Sequence, residues 1–465
     1  MTRLFWAAVA ASAVVAVAAT NSAPAVTYTA NVAPILYAQC ASCHRPGQSG
    51  PFSLLTYEDA AKHARLIATV TKSRYMPPWK AEPASYPYRD QRRLTDAQIA
   101  TLDQWVKLGM PEGDPSKMPP VPNFPEGWQL GTPDLIVEMP EAAHIPASGP
   151  DQYRNVIIPL GLTEDKWVQA IEIRPSAAKV VHHVLFFADQ PAALKRINHE
   201  MTAGKAGMPF TATTLPLGGW AAGGQPHLYP KGLALPLPKG DDLVFQYHFH
   251  PTGKPEAEKT RVGLYFAKEP PARTLLNLQL PVLFGLFAGV RIPAGDHKFT
   301  AHDSFTLPAD IEGVLVAGHA HYLGKTMKLT ATLPDGTVKT LLDIEDWDFA
   351  WQDRYFFQQF VSLPKGTRLD GTVTWDNSES NPRNPHNPPV AVRWGEQSFD
   401  EMGAIALQFV AKDEAAVPEL RRAVQRHTRQ TAAARIMQDP EFRAWFYERF
   451  GEMLRYREAK GKPQQ

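Results

Sequence analysis

Six of the chain's 15 histidines fall into three pairs, and each pair interrupts a run that otherwise reads as a buried or half-buried strand. His182 and His183 lie in "AAKVVHHVLFFAD", His248 and His250 in "DLVFQYHFHPTG", and His319 and His321 in "VLVAGHAHYL". A lone buried histidine is normally a core residue with its hydrogen bonds met. Three pairs in strand-like runs ask for more, because a buried imidazole without a partner costs stability. Residues i and i+2 of a strand share a face, so His319 and His321 should stand side by side. Such clusters suit Zn, Cu, Fe or Ni, and the metal's identity depends on a further ligand. Met402, in "EQSFDEMGAIALQF", lies between acidic residues and another apolar strand; taken alone it reads as packing.

At 465 residues the chain is long enough for two to four domains with their own cores. Lys+Arg 48 against Asp+Glu 47 leaves a net charge of +1, which points to no nucleic-acid partner and no polybasic membrane contact. The 43 prolines, scattered between short Val/Ile/Leu/Phe runs, argue for a mainly β body, and "KLTATL" and "VKTLLDI" carry strand alternation. Residues 1–25 pair Arg3 with an apolar run from Leu4 to Ala19 and small residues suited to cleavage. That pattern predicts a signal peptide and a periplasmic or otherwise exported protein, with an uncleaved anchor as the alternative. No later run is long and apolar enough to cross a bilayer, so no stable span is expected after cleavage; "LPVLFGLFAGV" ends at Arg291.

The two cysteines, Cys40 and Cys43, sit in "YAQCASCHRPG" with His44 directly after them. C-x-x-C-H is the attachment signal of a c-type haem, with two thioethers and the histidine as proximal iron ligand. A redox dithiol and half a zinc site are the competing readings. The flanks resemble a small class I cytochrome c domain: "TYTANVAPILYAQC" as its first helix and "LTDAQIATLDQWVKLGMPEGDP" as its last, N-capped by Thr95. Met76, on the Pro-stiffened loop "SRYMPPWKA", is the candidate sixth ligand, and Met110 is its rival.

Beyond the Pro-rich linker at 114–127, the order His-His, His-x-His before Pro, H-x-H-x-L-G and D-E-M resembles the copper type II, ascorbate-dependent monooxygenases over about residues 130–411. Dopamine β-monooxygenase and peptidylglycine α-hydroxylating monooxygenase belong to that family. The resemblance implies two copper ions: one on His182, His183 and His248, the other on His319, His321 and Met402, with His250 outside the first set. It also implies that the second copper activates O2, the soft thioether favouring Cu(I). Its fold expectation is mainly β: two jelly-roll-type β-sandwich domains, preceded by the α-helical cytochrome c domain and followed by a helical C-terminal tail. The expected boundaries are 26–118 for the haem domain, 119–270 and 271–411 for the two sandwiches, and 412–465 for the tail.

Two departures from the family matter. No cysteine is left for a disulfide, and the positions where the peptide-amidating enzyme carries an Arg and a Tyr for its substrate's carboxylate are Ala317 and Ala406 here. The fused haem implies single electrons delivered from a tethered donor at high effective concentration. The expected function is a copper-dependent monooxygenase hydroxylating a C–H bond of a small organic substrate with O2, its haem served by a periplasmic electron donor. A non-catalytic electron-transfer or copper-holding protein of the same fold is the alternative, and a zinc hydrolase is disfavoured by Met402. In the tail, Phe442, Trp445, Phe446 and Phe450 form one apolar face. The remaining histidines read as ordinary residues, with His227 in "GGQPHLYP" the one able to line a cleft.

Overall fold

The computed structural model describes residues 26–48, 50–125, 127–191, 215–221 and 223–460, without the side chains of 452–460. The expected signal peptide and His199 lie outside the described residues. Among the described residues of 135–411, strands are the predominant regular structure, joined by long loops. The protein is mainly β, and among the described residues its full α-helices lie in an N-terminal unit and the C-terminal tail.

Two β units follow one another. In the first, one antiparallel sheet has the order Leu135–Glu138, Arg261–Phe266, Lys166–Arg174, Leu235–Leu237. The other has the order Gln152–Ile158, Asp242–Phe249, Val181–Asp189, Leu215–Ala221. Val262 and Leu264 of one sheet meet Val184, Phe186, Phe245 and Tyr247 of the other in a shared core. The second unit repeats the scheme, with Leu275–Leu280, Gly403–Ala411, Ile311–Ala320, Arg354–Leu363 in one sheet and Phe299–Thr306, Arg368–Trp375, Gly324–Thr332, Val338–Ile344 in the other. Its core includes Leu329, Ile344, Phe357, Trp375 and Phe409, all essentially sealed from solvent. Each such side chain contributes roughly 1.5–3 kcal/mol by leaving water.

The N-terminal unit packs helices Ala33–Gln39, Tyr57–Lys72 and Asp96–Lys107 around Tyr28, Leu36, Leu102 and Trp105. Thr95 caps the last of these in a full capping box: its hydroxyl accepts from the Gln98 N–H, and the Gln98 side chain accepts from its own. The helix Tyr57–Lys72 was not anticipated from sequence. Residues 79–89 also part from the single domain expected over 26–118. Trp79, Ala81 and Tyr88 are buried in the core of the second β unit, and the backbone there donates from Glu82 to Asp343, Ser85 to Thr340 and Arg89 to Phe356. The Arg92 guanidinium pairs with Asp353 at the same junction.

The tail forms two helices, Val417–Gln438 and Pro440–Lys460. The apolar face read from sequence is laid against the second unit: Phe446 meets Phe287 at 5.6 Å between ring centroids, and Phe450 meets Trp394 at 6.1 Å. Among the described residues no helix is long and apolar enough to cross a membrane.

Candidate metal centres

Adjacent strand residues normally point to opposite faces, so His182 and His183 should not share a site. A β-bulge removes the conflict. Val181 pairs with Phe249 and His183 with His248, leaving His182 as the extra residue, and both imidazoles emerge on the face turned away from the first core. Opposite them, Phe245, Tyr247 and Phe249 point into that core, which turns His248 outward. One ring nitrogen from each of the three histidines then lies within 4.8 Å of the others. His182 and His183 turn their Nδ1 atoms toward each other at 3.1 Å.

The protonation pattern of this triad fits metal binding. His248 Nε2 donates to Asp151 at 2.7 Å, so its Nδ1 carries the lone pair, and that buried atom has no hydrogen-bond partner. The second oxygen of Asp151 accepts from His250 at 2.7 Å, which gives the exposed member of the pair a supporting place. Burial raises the Asp151 carboxyl, yet the bonds from His248 and His250 outweigh it and hold the pKa at about 2. Burial, followed by the neighbouring His248, lowers His182 to about 3, and His183 is lowered likewise. Both stay neutral, the form that ligates.

The second group sits on the opposing face of the second unit. His319 is near the end of strand Ile311–Ala320, and His321 stands just past it; their rings are perpendicular with centroids 5.2 Å apart. His319 Nδ1 donates to Gln352 Oε1 at 2.7 Å, and His321 Nδ1 donates to the Asp400 carbonyl at 2.9 Å. Each Nε2 is thereby left with its lone pair. The ladder pairs His319 with Ala404 and Ala320 with Gly403, which brings Met402, 2% exposed, level with His321. Burial lowers His319 to about 4 and His321 to about 3. Glu401 locks the corner: its buried carboxyl group accepts from the His321 and Leu323 backbone and from Trp375 Nε1, while burial raises its pKa to about 8. Ala317 pairs directly with Ala406, so the two positions that set this chain apart in sequence face each other across the ladder.

One loop from the second unit joins these groups. The Phe349 ring lies 4.7 Å from His182, 5.7 Å from His248 and 5.4 Å from His321, centroid to centroid. Three residues on, Gln352 holds His319, and Asp353 pairs with Arg92. Asp151, Gln352 and Phe349 had no signature in sequence. Their roles follow from partners elsewhere in the chain, 33 positions away for Gln352 and 97 for Asp151.

The C-x-x-C-H segment closes on itself at the end of helix Ala33–Gln39, where the His44 N–H donates to the Cys40 carbonyl at 2.9 Å. Neither cysteine is in a disulfide, and both are half-buried. His44 Nδ1 donates to the Phe52 carbonyl at 3.1 Å, which leaves Nε2 available to iron. Met110 packs against the helical core, with its backbone in the left-handed region, whereas Met76 is half-buried on the loop leading to the second β unit. Cys43 Sγ receives a contact from Gln225 Nε2 at 3.5 Å, so the motif abuts the first unit.

No family model and no curated protein matches the chain. Among solved structures, the major capsid protein P2 from bacteriophage PM2 aligns over 60% of this chain and 97% of its own, with 9% identity and a TM-score of 0.24. A peptide-N(4)-(N-acetyl-β-D-glucosaminyl) asparagine amidase aligns over 60% and 96%, with 9% identity and a TM-score of 0.28. Likeness that slight carries no argument. Function has to be read from the site itself.

Proposed function

We propose that the protein is an exported copper-dependent monooxygenase that hydroxylates a C–H bond of a small organic molecule with O2, electrons entering through a fused c-type haem. The observation that carries this reading is the triad His182, His183 and His248, with His248 buried and its Nδ1 lone pair unpartnered. The motif order shared with the copper type II monooxygenases supports it, and so does a second histidine pair with a methionine beside it. Two double-layered β units fit the jelly-roll pair that the resemblance implies, and three helices around a C-x-x-C-H turn fit a small cytochrome c domain.

Copper, when bound, supplies one-electron redox chemistry and the activation of O2. The chain's own residues set the conditions. Asp151 fixes the His248 tautomer; Gln352 and the Asp400 carbonyl do the same for His319 and His321. Burial keeps His182, His183, His319 and His321 neutral and so free to ligate at neutral pH. The Met402 thioether favours the reduced metal. Facing alanines at 317 and 406 offer no charge to a substrate carboxylate there, which argues for a substrate other than a peptidylglycine.

Metal analysis of haem-matured protein should find two coppers and one haem per chain, and zinc without copper would sink the reading. Met402→Ala should abolish hydroxylation while leaving the triad copper and the haem spectrum intact. Wild-type protein that takes up both coppers yet makes no product from any small organic substrate with reductant and O2 would be an electron carrier instead.

A further inference from the structure

The loop that carries Phe349 also reaches the haem motif. Trp351 presses its indole against Gly223, where a Cβ would lie 3.5 Å from Cζ3, and Pro78 flanks the same spot. Gly223 places its carbonyl 3.9 Å from Cys43 Sγ. On its other side Trp351 meets the Tyr75 ring at 6.1 Å, next to Met76 in sequence. Its indole N–H is buried without a hydrogen-bond partner, so a polar tether does not explain its placement. One indole therefore touches the neighbours of a thioether cysteine and of the candidate sixth ligand. Two residues earlier in the same loop, Phe349 is 3% exposed and lies against His182, His183, His248 and His321.

We infer that Trp351 and Phe349 form the route by which single electrons pass from the haem to the His182/His183/His248 copper. The inference rests on the function proposed above. One electron leaves ferrous haem, which becomes ferric, and one Cu(II) becomes Cu(I); no bond is made or broken and no proton is transferred. A soluble one-electron donor restores the ferrous haem. The loop sets Phe349, buried, against the triad and Trp351, half-buried, beside the haem motif two residues later in the same chain.

The test uses full-length protein with haem attached and both copper sites filled with Cu(II), under anaerobic conditions. A deazaflavin photoreductant reduces the haem by flash, and decay of the ferrous band is followed together with loss of the Cu(II) resonance. Trp351→Leu should slow this decay by an order of magnitude or more, with copper content, Cu(II) spectrum and haem spectrum unchanged. Trp351→Phe, which keeps a ring in place, should recover most of the rate; a merely structural indole would show no such rescue. Phe349→Leu should slow transfer independently, and it carries the test should Trp351→Leu fail to mature. Wild-type rates in both leucine variants would overturn the inference while leaving the function standing. A wild-type haem whose decay is indifferent to copper would overturn both.

Discussion

Asp151→Asn separates a ligating histidine from one that is only buried. The carboxylate binds two imidazoles at 2.7 Å, and its pKa falls from the ordinary 3.8 to about 2. Its side chain is 8% exposed, so solvent screens the interaction little. At roughly 1.4 kcal/mol per pKa unit, the ionised form is stabilised by about 2 kcal/mol in the folded chain. The sign follows from the direction: the contribution is complete above pH 3.8 and disappears as pH falls through about 2. Asparagine keeps a neutral acceptor for His248 Nε2 but loses the charge. Copper-free protein should therefore unfold about 2 kcal/mol more easily in urea at pH 7. Copper at the triad should bind roughly 10- to 100-fold more weakly, because the His248 tautomer and basicity are no longer enforced. Cu(II) titration followed by electron paramagnetic resonance reads both sites, so the His319/His321 copper serves as internal control for the triad. Unchanged affinity in Asp151→Asn, alongside its loss in His248→Ala, would show that the carboxylate does not orient the ligand and would refute the argument.

Copper-free protein should lose stability as pH falls from 6.5 toward 4: His319 and His321 titrate at about 4 and 3 when folded, so the unfolded chain alone takes up protons in that window. Each contributes on the order of 3 kcal/mol to the loss; Glu401, which burial raises to about 8, gains its proton first in the folded chain and offsets part of it, so urea midpoints should fall between pH 6.5 and pH 4.5 rather than from pH 8. A flat profile would mean that the pair is hydrated in solution. Phe446→Ala should cost about 3 kcal/mol by opening a cavity against Phe287 while leaving copper uptake unchanged. Lost copper instead would place the tail in the site's architecture.

The three histidine pairs were legible because chemistry chooses residue types before geometry is known, as imidazoles within apolar runs; Met402, which alone reads as packing, and the sorting of candidates into two sets came from the resemblance. The His319/His321 alternation was readable too, since strand period alone sets it. The bulge at His182 was not, because it exists only relative to the partner strand that carries His248. Asp151, Gln352 and Glu401 were hidden for a related reason: ordinary polar residues acquire meaning only from what they touch. Trp79 and Tyr88 misled the domain reading. Both fall inside the 26–118 boundary expected for the haem domain, yet they fill the core of the second β unit, a contact that only the fold reveals.

The bulge makes the triad sensitive to a single codon. Deleting His182 would let Val181 and His183 pair with Phe249 and His248 in unbroken succession, so the sheet would gain regularity as the site lost one of its three imidazoles. A gene lineage can therefore silence this centre by an in-frame loss of three bases without unfolding the protein. The same deletion yields a metal-site knockout in which the surrounding β unit is, if anything, easier to fold.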